Sequence, residues 1–220
     1  RTMSRSTFLV PCLALLLAAP AAAQGKKSPL VAFGKVGKLP AMSFCMDGAK
    51  YKLENSNLRM KDDPKNGVDA SKHLGQWVRV EGFFRNGLNG PTCDKIDLVK
   101  ISPATEYLEE KGSNPVPGGA IAFNFYGRIG SLHALLMGVG EPLERLIPMG
   151  PLGLLALDPR NNIFNLIALP IPGTGRMPFK LQVPNEPALK GLNVTFQTAA
   201  IVFRPTLAAY LLNPQPVEIR

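Results

Sequence analysis

Beyond residue 40 the apolar and polar positions alternate in short runs, broken at close intervals by Gly, Pro, Asn or Asp. A period of two marks strands buried on one face. Between 41 and 103 the pattern predicts strands over 41–46, 49–54, 56–60, 76–85 and 93–101. Within 76–85, Val78, Val80, Gly82 and Phe84 fall on one side, and Trp77, Arg79, Glu81 and Phe83 on the other, so the Val/Phe face is expected to turn inward. Leu98 and Val99 are two adjacent apolar residues that break the alternation of the last strand and predict a β-bulge. Asp69 is an N-cap candidate for one or two helical turns over 69–74. Three strands, a short helix and two more strands is the order of an OB-type barrel.

Residues 104–119 concentrate Pro, Gly and acidic side chains and are expected to link two domains. From 120 onward the pattern is again that of strands. Ile121, Phe123 and Phe125 alternate with smaller or polar neighbours, as do Phe179, Leu181 and Val183. Apolar runs at 132–137, 152–157, 163–169, 192–203, 207–211 and 217–219 are bounded by Gly, Pro or Asn. Seven or eight strands at such spacing predict a β-sandwich, and the many prolines fit strand ends and edges. The fold class expected is therefore all-β: a small OB-like barrel over 41–103 followed by a 7–8-stranded β-sandwich over 120–220.

Two resemblances accompany this reading. The run from Leu74 to Gly82, followed by Cys93 to Ile101, resembles the closing strands of small exported bacterial OB-like domains. Val183-Pro184-Asn185, Leu189 to Gln197 and the closing Leu212-Asn213-Pro214 with Val217 to Ile219 resemble an uncharacterised β-sandwich at the C-termini of secreted bacterial proteins. Thr198 stands where that pattern usually has a small residue, and Pro214 interrupts its last element. The second resemblance implies a secreted or surface accessory module and no particular activity.

The N-terminus supports the same setting. Met3 reads as the start, Arg5 as a positive n-region, 8–19 as an apolar stretch and Ala21-Ala22-Ala23 as a small-residue cleavage site. The expectation is a cleaved signal peptide over 1–23, a flexible lead-in over 24–40, and a secreted, periplasmic or cell-surface location. The apolar stretch is too short and proline-broken for a transmembrane helix. Cys45 and Cys93 then remain, and in an exported chain they most simply form one disulfide. Free buried thiols are the alternative. A zinc site is poorer, because only His73 and His133 accompany them.

Composition narrows the class. Apolar residues make up 45% of the chain, which excludes general disorder, and 21 Gly with 21 Pro in no repeat exclude collagen. Charge is uneven: residues 24–103 hold 14 basic and 8 acidic side chains, whereas 104–220 hold 9 and 8. Either the basic half merely keeps the chain soluble or it offers a cationic face to an acidic polymer.

Catalytic patterns are weak. Ser131 and His133 are neighbours without a G-x-S-x-G turn or an orienting acid. Asp62, Asn66 and Gly67 fit a calcium loop, but Pro64 and His73 occupy ligand positions, so a polar turn is the better reading. Glu141/Glu144 and Glu109/Glu110 read as solvated surface. No cofactor or metal is implied. The best candidate site lies on the barrel, since OB folds bind oligomers across their second and third strands and flanking loops. Those places hold Lys50, Tyr51, Lys52, Arg59 and Lys61, with Arg85 and Asn86 on the later loop; Tyr51 and Trp77 are candidates for stacking on sugars or bases. The function expected is a non-enzymatic exported binding or structural module at the cell envelope or outside the cell. The alternatives are an OB-type binder of an acidic polymer (polysaccharide or nucleic acid), and a hydrolase of unknown substrate.

Overall fold

A computed structural model describes residues 30–40, 45, 47–56, 58–87, 90–203 and 205–220. The expected signal peptide and most of the expected 41–46 strand lie outside the described residues. Among the described residues strand accounts for 52% and helix for 8%, with no helix of seven residues or more, so the fold is all-β.

The first five strands are β1 (Leu30–Lys38), β2 (Tyr51–Leu53), β3 (Leu58–Lys61), β4 (Trp77–Arg85) and β5 (Lys95–Pro103). They close a barrel in the order β1-β2-β3-β5-β4, antiparallel except where β3 meets β5 in parallel. A five-stranded Greek-key barrel of this kind is the OB architecture. Val78 and Val80 point into its core with Leu53, Met60 and Ile96, all fully buried. The bulge falls where the alternation breaks: Glu81 pairs with Lys100 and Gly82 with Leu98, leaving Val99 as the extra, exposed residue. A Cβ on Gly82 would lie 2.2 Å from the Asp97 carbonyl oxygen, so only glycine fits there. Asp69 caps a 3-10 turn, Ala70–His73, by accepting a hydrogen bond from the Ser71 N–H at 2.9 Å.

The flexible lead-in expected over 24–40 is corrected in its described part: Leu30–Lys38 is the first barrel strand, and residues 24–29 lie outside the described residues. Its two faces explain why alternation missed it. Leu30, Ala32 and Val36 enter the barrel core, whereas Val31 and Phe33 pack outward against Ala200 and Leu212. A strand buried on both sides shows a continuous apolar run instead of a period of two. Gly34, which reads as a loop signal, sits against Leu53, whose Cβ would be 2.9 Å from a Cβ placed there.

The second half contains β6 (Tyr107–Glu110), β7 (Ala120–Tyr126), β8 (Leu132–Val139), β9 (Ile147–Pro148), β10 (Leu154–Leu155), β11 (Ile163–Pro170), β12 (Arg176–Gln182), β13 (Asn193–Val202), β14 (Ala208–Leu211) and β15 (Gln215–Glu218). One sheet runs β12-β7-β6; the other runs β11-β8-β13-β14, with β15 also on β13. Ile121, Phe123 and Phe125 from the first meet Leu135, Val194 and Phe196 from the second. The two sheets make a sandwich of eight strands, within the seven or eight expected, but one of them, β6, precedes residue 120, and the apolar run at 152–157 joins neither sheet. The linker over 104–119 is corrected in part, because its acidic stretch supplies the edge strand β6. Leu108 is buried there, and Asn213 holds it by accepting from its N–H at 3.0 Å and donating to its carbonyl at 2.8 Å.

Barrel and sandwich are not two separate packets. The arm carrying β9 and β10 sends Leu146, Leu154 and Ala156 into the barrel core. Buried Gln197 on β13 pins that arm by donating to the Leu154 carbonyl and accepting from the Ala156 N–H. Asn55 of the barrel donates to Gln215 of the sandwich at 3.1 Å. With Phe33 against Tyr210 as well, the barrel is joined to one sandwich sheet by buried contacts, while the core between the two sheets forms its own cluster.

Candidate functional site

Strand register settles which predicted residues come together. On the outside of the barrel Lys52 faces Arg59, Arg59 faces Lys95, and Lys95 faces Arg85, in one row across β2, β3, β5 and β4. Lys61, exposed, follows on β3, and Lys50, also exposed, stands just before β2. Exposed Asn86 directly follows the last cation of the row. Nothing local in β5 signals Lys95 as part of the row, because only the parallel pairing with β3 brings it beside Arg59.

Carboxylates partly neutralise the row. Arg59 is only 4% exposed and donates to both Asp47 oxygens, at 2.8 and 3.1 Å, and to the Cys45 carbonyl at 3.3 Å. Burial alone would raise the Asp47 carboxyl, but the Arg59 hydrogen bond, the Ala49 N–H and the charges of Arg59 and Lys95 outweigh it and hold it below the usual range. Arg59 is thus a fixed structural cation, not a mobile ligand contact. Arg85 pairs with Asp97, and Lys95 lies 4.0 Å from the same carboxylate. Asp62, close enough to Lys50 to feel its charge, is raised by burial. Six cations against three carboxylates leave the face positive. The Cys45–Cys93 disulfide, with Cα atoms 5.4 Å apart, ties the segment before β2 to the segment before β5 at this face.

The two candidate stacking residues do not share that face. Tyr51 packs against the barrel core. Trp77, near the other end of β4, stacks on Tyr107 with centroids 4.7 Å apart, and Tyr107 stacks on Tyr126 at 4.4 Å. Arg176 lies over the Tyr126 ring at 6.0 Å. This column joins β4 to the first sandwich sheet and leaves Trp77 a packing residue. Phe83, half-buried opposite Asp97, is the aromatic neighbour of the cationic row.

The remaining candidates are engaged elsewhere. His133 is fully buried in β8, without a hydrogen-bond partner on either ring nitrogen, and burial lowers its pKa to about 4. Ser131 is buried and donates to the Arg128 carbonyl at 2.7 Å, so no base–nucleophile pair faces solvent. Asp62 accepts from the Ala70 N–H at 3.0 Å and Asp69 caps Ser71, which uses the calcium-loop carboxylates for backbone turns. Glu141 and Glu144 are exposed on a wide recess beside Asp158, which Arg160 clamps at 2.8 Å. Among the described residues no group of three or more His, Cys, Asp or Glu side chains could hold a metal ion. None of the helices among them is long and apolar enough to cross a membrane.

No family model matches the chain, and neither does any curated protein or solved structure.

Proposed function

We propose that this protein is a non-enzymatic exported binding module, acting at the cell envelope or in the extracellular space through the cationic outer face of its barrel. The observation that carries this reading is the set Lys52, Lys95 and Arg85 arrayed around the buried Arg59–Asp47 pair, with Lys50 and Lys61 at its margin. A line of cations across adjacent strands matches a repeating anion better than a small ligand. The occupation of Trp77 and Tyr51 elsewhere favours an anionic polysaccharide over single-stranded nucleic acid, which would need exposed stacking platforms. Export rests on the leader-like N-terminus, and the Cys45–Cys93 bridge supports it, since disulfides persist in oxidising compartments.

Retention on immobilised heparin tests the polymer contact. The full chain should bind at about 0.1 M salt, where the Debye length is about 10 Å, and elute well before 1 M, where it is about 3 Å. The double variant Lys52→Glu/Lys61→Glu should elute at distinctly lower salt. Passage of the unsubstituted chain straight through at low salt would end this reading, as would unchanged elution of the variant.

A further inference from the structure

The sheet β11-β8-β13-β14 is apolar on both faces. Its inner side meets the other sheet. On its outer side Leu136, Ala199 and Leu211 pack beneath Met149 and Leu155 of the arm that carries β9 and β10. The arm covers that face only in part, and a slot remains between the two. Ile163, Leu136, Ala199 and Leu211 form its floor, and Met149 and Leu152 its roof. Each floor residue comes from a different one of four neighbouring strands, so the slot runs about 14 Å across the sheet at ~4.8 Å per strand. Counted as space for the centres of water-sized spheres, the cavity measures about 50 Å³. That is several times the roughly 10–15 Å³ that one water occupies.

The roof is held in place. Met149 N–H donates to the Gly153 carbonyl at 2.8 Å, Gly153 bridges to Leu211, and Gln197 donates to the carbonyl of the next residue, Leu154. A Cβ on Gly153 would lie 2.9 Å from the Leu211 carbonyl oxygen, so the arm sits as close to the sheet as glycine permits. The slot is therefore preformed, like most sites for small molecules.

We propose that this slot holds a single unbranched hydrocarbon chain, the tail of a lipid or of a fatty acid. Its lining offers no charge and no free hydrogen bond. Tyr210 borders it, but that ring stacks at a tilt on Phe33 and its hydroxyl accepts from Arg79 at 3.4 Å. A polypeptide laid in the slot would bury N–H and C=O groups without partners. The exposed lining is also a small fraction of the roughly 800 Å² that each side of a stable protein contact covers, which is too little to seat a second copy. An alkyl chain needs no polar partner and gains with every methylene it hides. The site is separate from the cationic barrel face and does not depend on that reading.

Uncharged straight-chain alcohols test the slot, because they have no attraction to the barrel's cations. Added in order of length to the full chain with carbon-13-labelled methionine methyls, they should bind saturably and shift the Met149 signal, which Met149→Leu assigns. Calorimetric affinity should rise about fourfold per added methylene, then level off once the slot is full. Ala209→Leu fills the end where Ala209 faces Ile201 and should bring the plateau to a shorter chain, with an unchanged melt showing that the variant folds. Met149→Ala, which thins the roof, should weaken all the alcohols together. A free fatty acid and a lysophospholipid of the plateau length then compete with the alcohol, and the better competitor identifies the source of the chain. Competition by neither, affinity that climbs with length without a plateau, or binding that leaves the Met149 signal unmoved overturns the proposal. So does an absence of saturable binding, including the case in which the Met149 signal moves with protein concentration alone, as at a contact between two copies.

Discussion

Acidification should destabilise this protein through a single buried ring. His133 lies between the sheets with its edge toward Phe125, at a centroid distance of 6.2 Å, and Gly127 packs so close that a Cβ there would be 2.5 Å from Nε2. Burial lowers its pKa to about 4 from 6.5, so the folded chain keeps the ring neutral where the unfolded chain protonates it. The unfolded state therefore binds more protons between those values, and stability rises with pH across that window. The stabilisation is fully present above about pH 6.5 and is lost as pH falls toward 4. At about 1.4 kcal/mol per pKa unit, the loss reaches roughly 3 kcal/mol by pH 4, a large part of an ordinary 5–15 kcal/mol. Urea unfolding of the parent and of His133→Leu, from pH 7.5 to 4, measures it. Carboxylate titrations are common to both chains, so the difference between the two curves isolates the ring. The leucine chain should lose roughly 3 kcal/mol less on acidification, and at pH 7.5 should be no less stable, because it removes two ring nitrogens that have no partner. Parallel pH dependences for the two chains would refute the buried neutral histidine.

Three further outcomes follow from the packing. Gly82→Ala should cost about 3 kcal/mol in chemical denaturation, since the new methyl meets the Asp97 carbonyl oxygen and the Ile96 side chain. Leu146→Ala should cost about 2–5 kcal/mol and shift one shared transition, seen alike by Trp77 fluorescence and far-ultraviolet circular dichroism, because Leu146 belongs to the sandwich arm but fills the barrel core; separate transitions for the two probes would contradict a coupling of the two halves through this arm. Breaking the Cys45–Cys93 bridge with reductant should lower stability by about 4 kcal/mol on the loop-entropy estimate for a separation of 48 residues, read from the urea midpoint.

Where a strand buries one face, its own residues announced it. The Val78/Val80 face of β4, the Val99 bulge, the Asp69 cap and the Ile121/Phe123/Phe125 strand follow from local rules of pleat, bulge and capping, which need no knowledge of a partner. The pairing of Cys45 with Cys93 was the simplest outcome of two cysteines in an exported chain. Tertiary structure decided whatever depended on a neighbour remote in sequence. β1 carries no alternation because Val31 and Phe33 are covered by a sandwich that begins some seventy residues later. The acidic stretch became β6 because Asn213 and Gln215 hold Leu108 from the far end of the chain. At the barrel face the types of residue were legible, but their state was not. Arg59 became a buried partner of Asp47, Lys95 joined it through a parallel pairing, and Trp77 left the face for a stack on Tyr107. Alternation records which side of a strand is apolar; only the assembled sheets determine what covers that side and which charges end up adjacent.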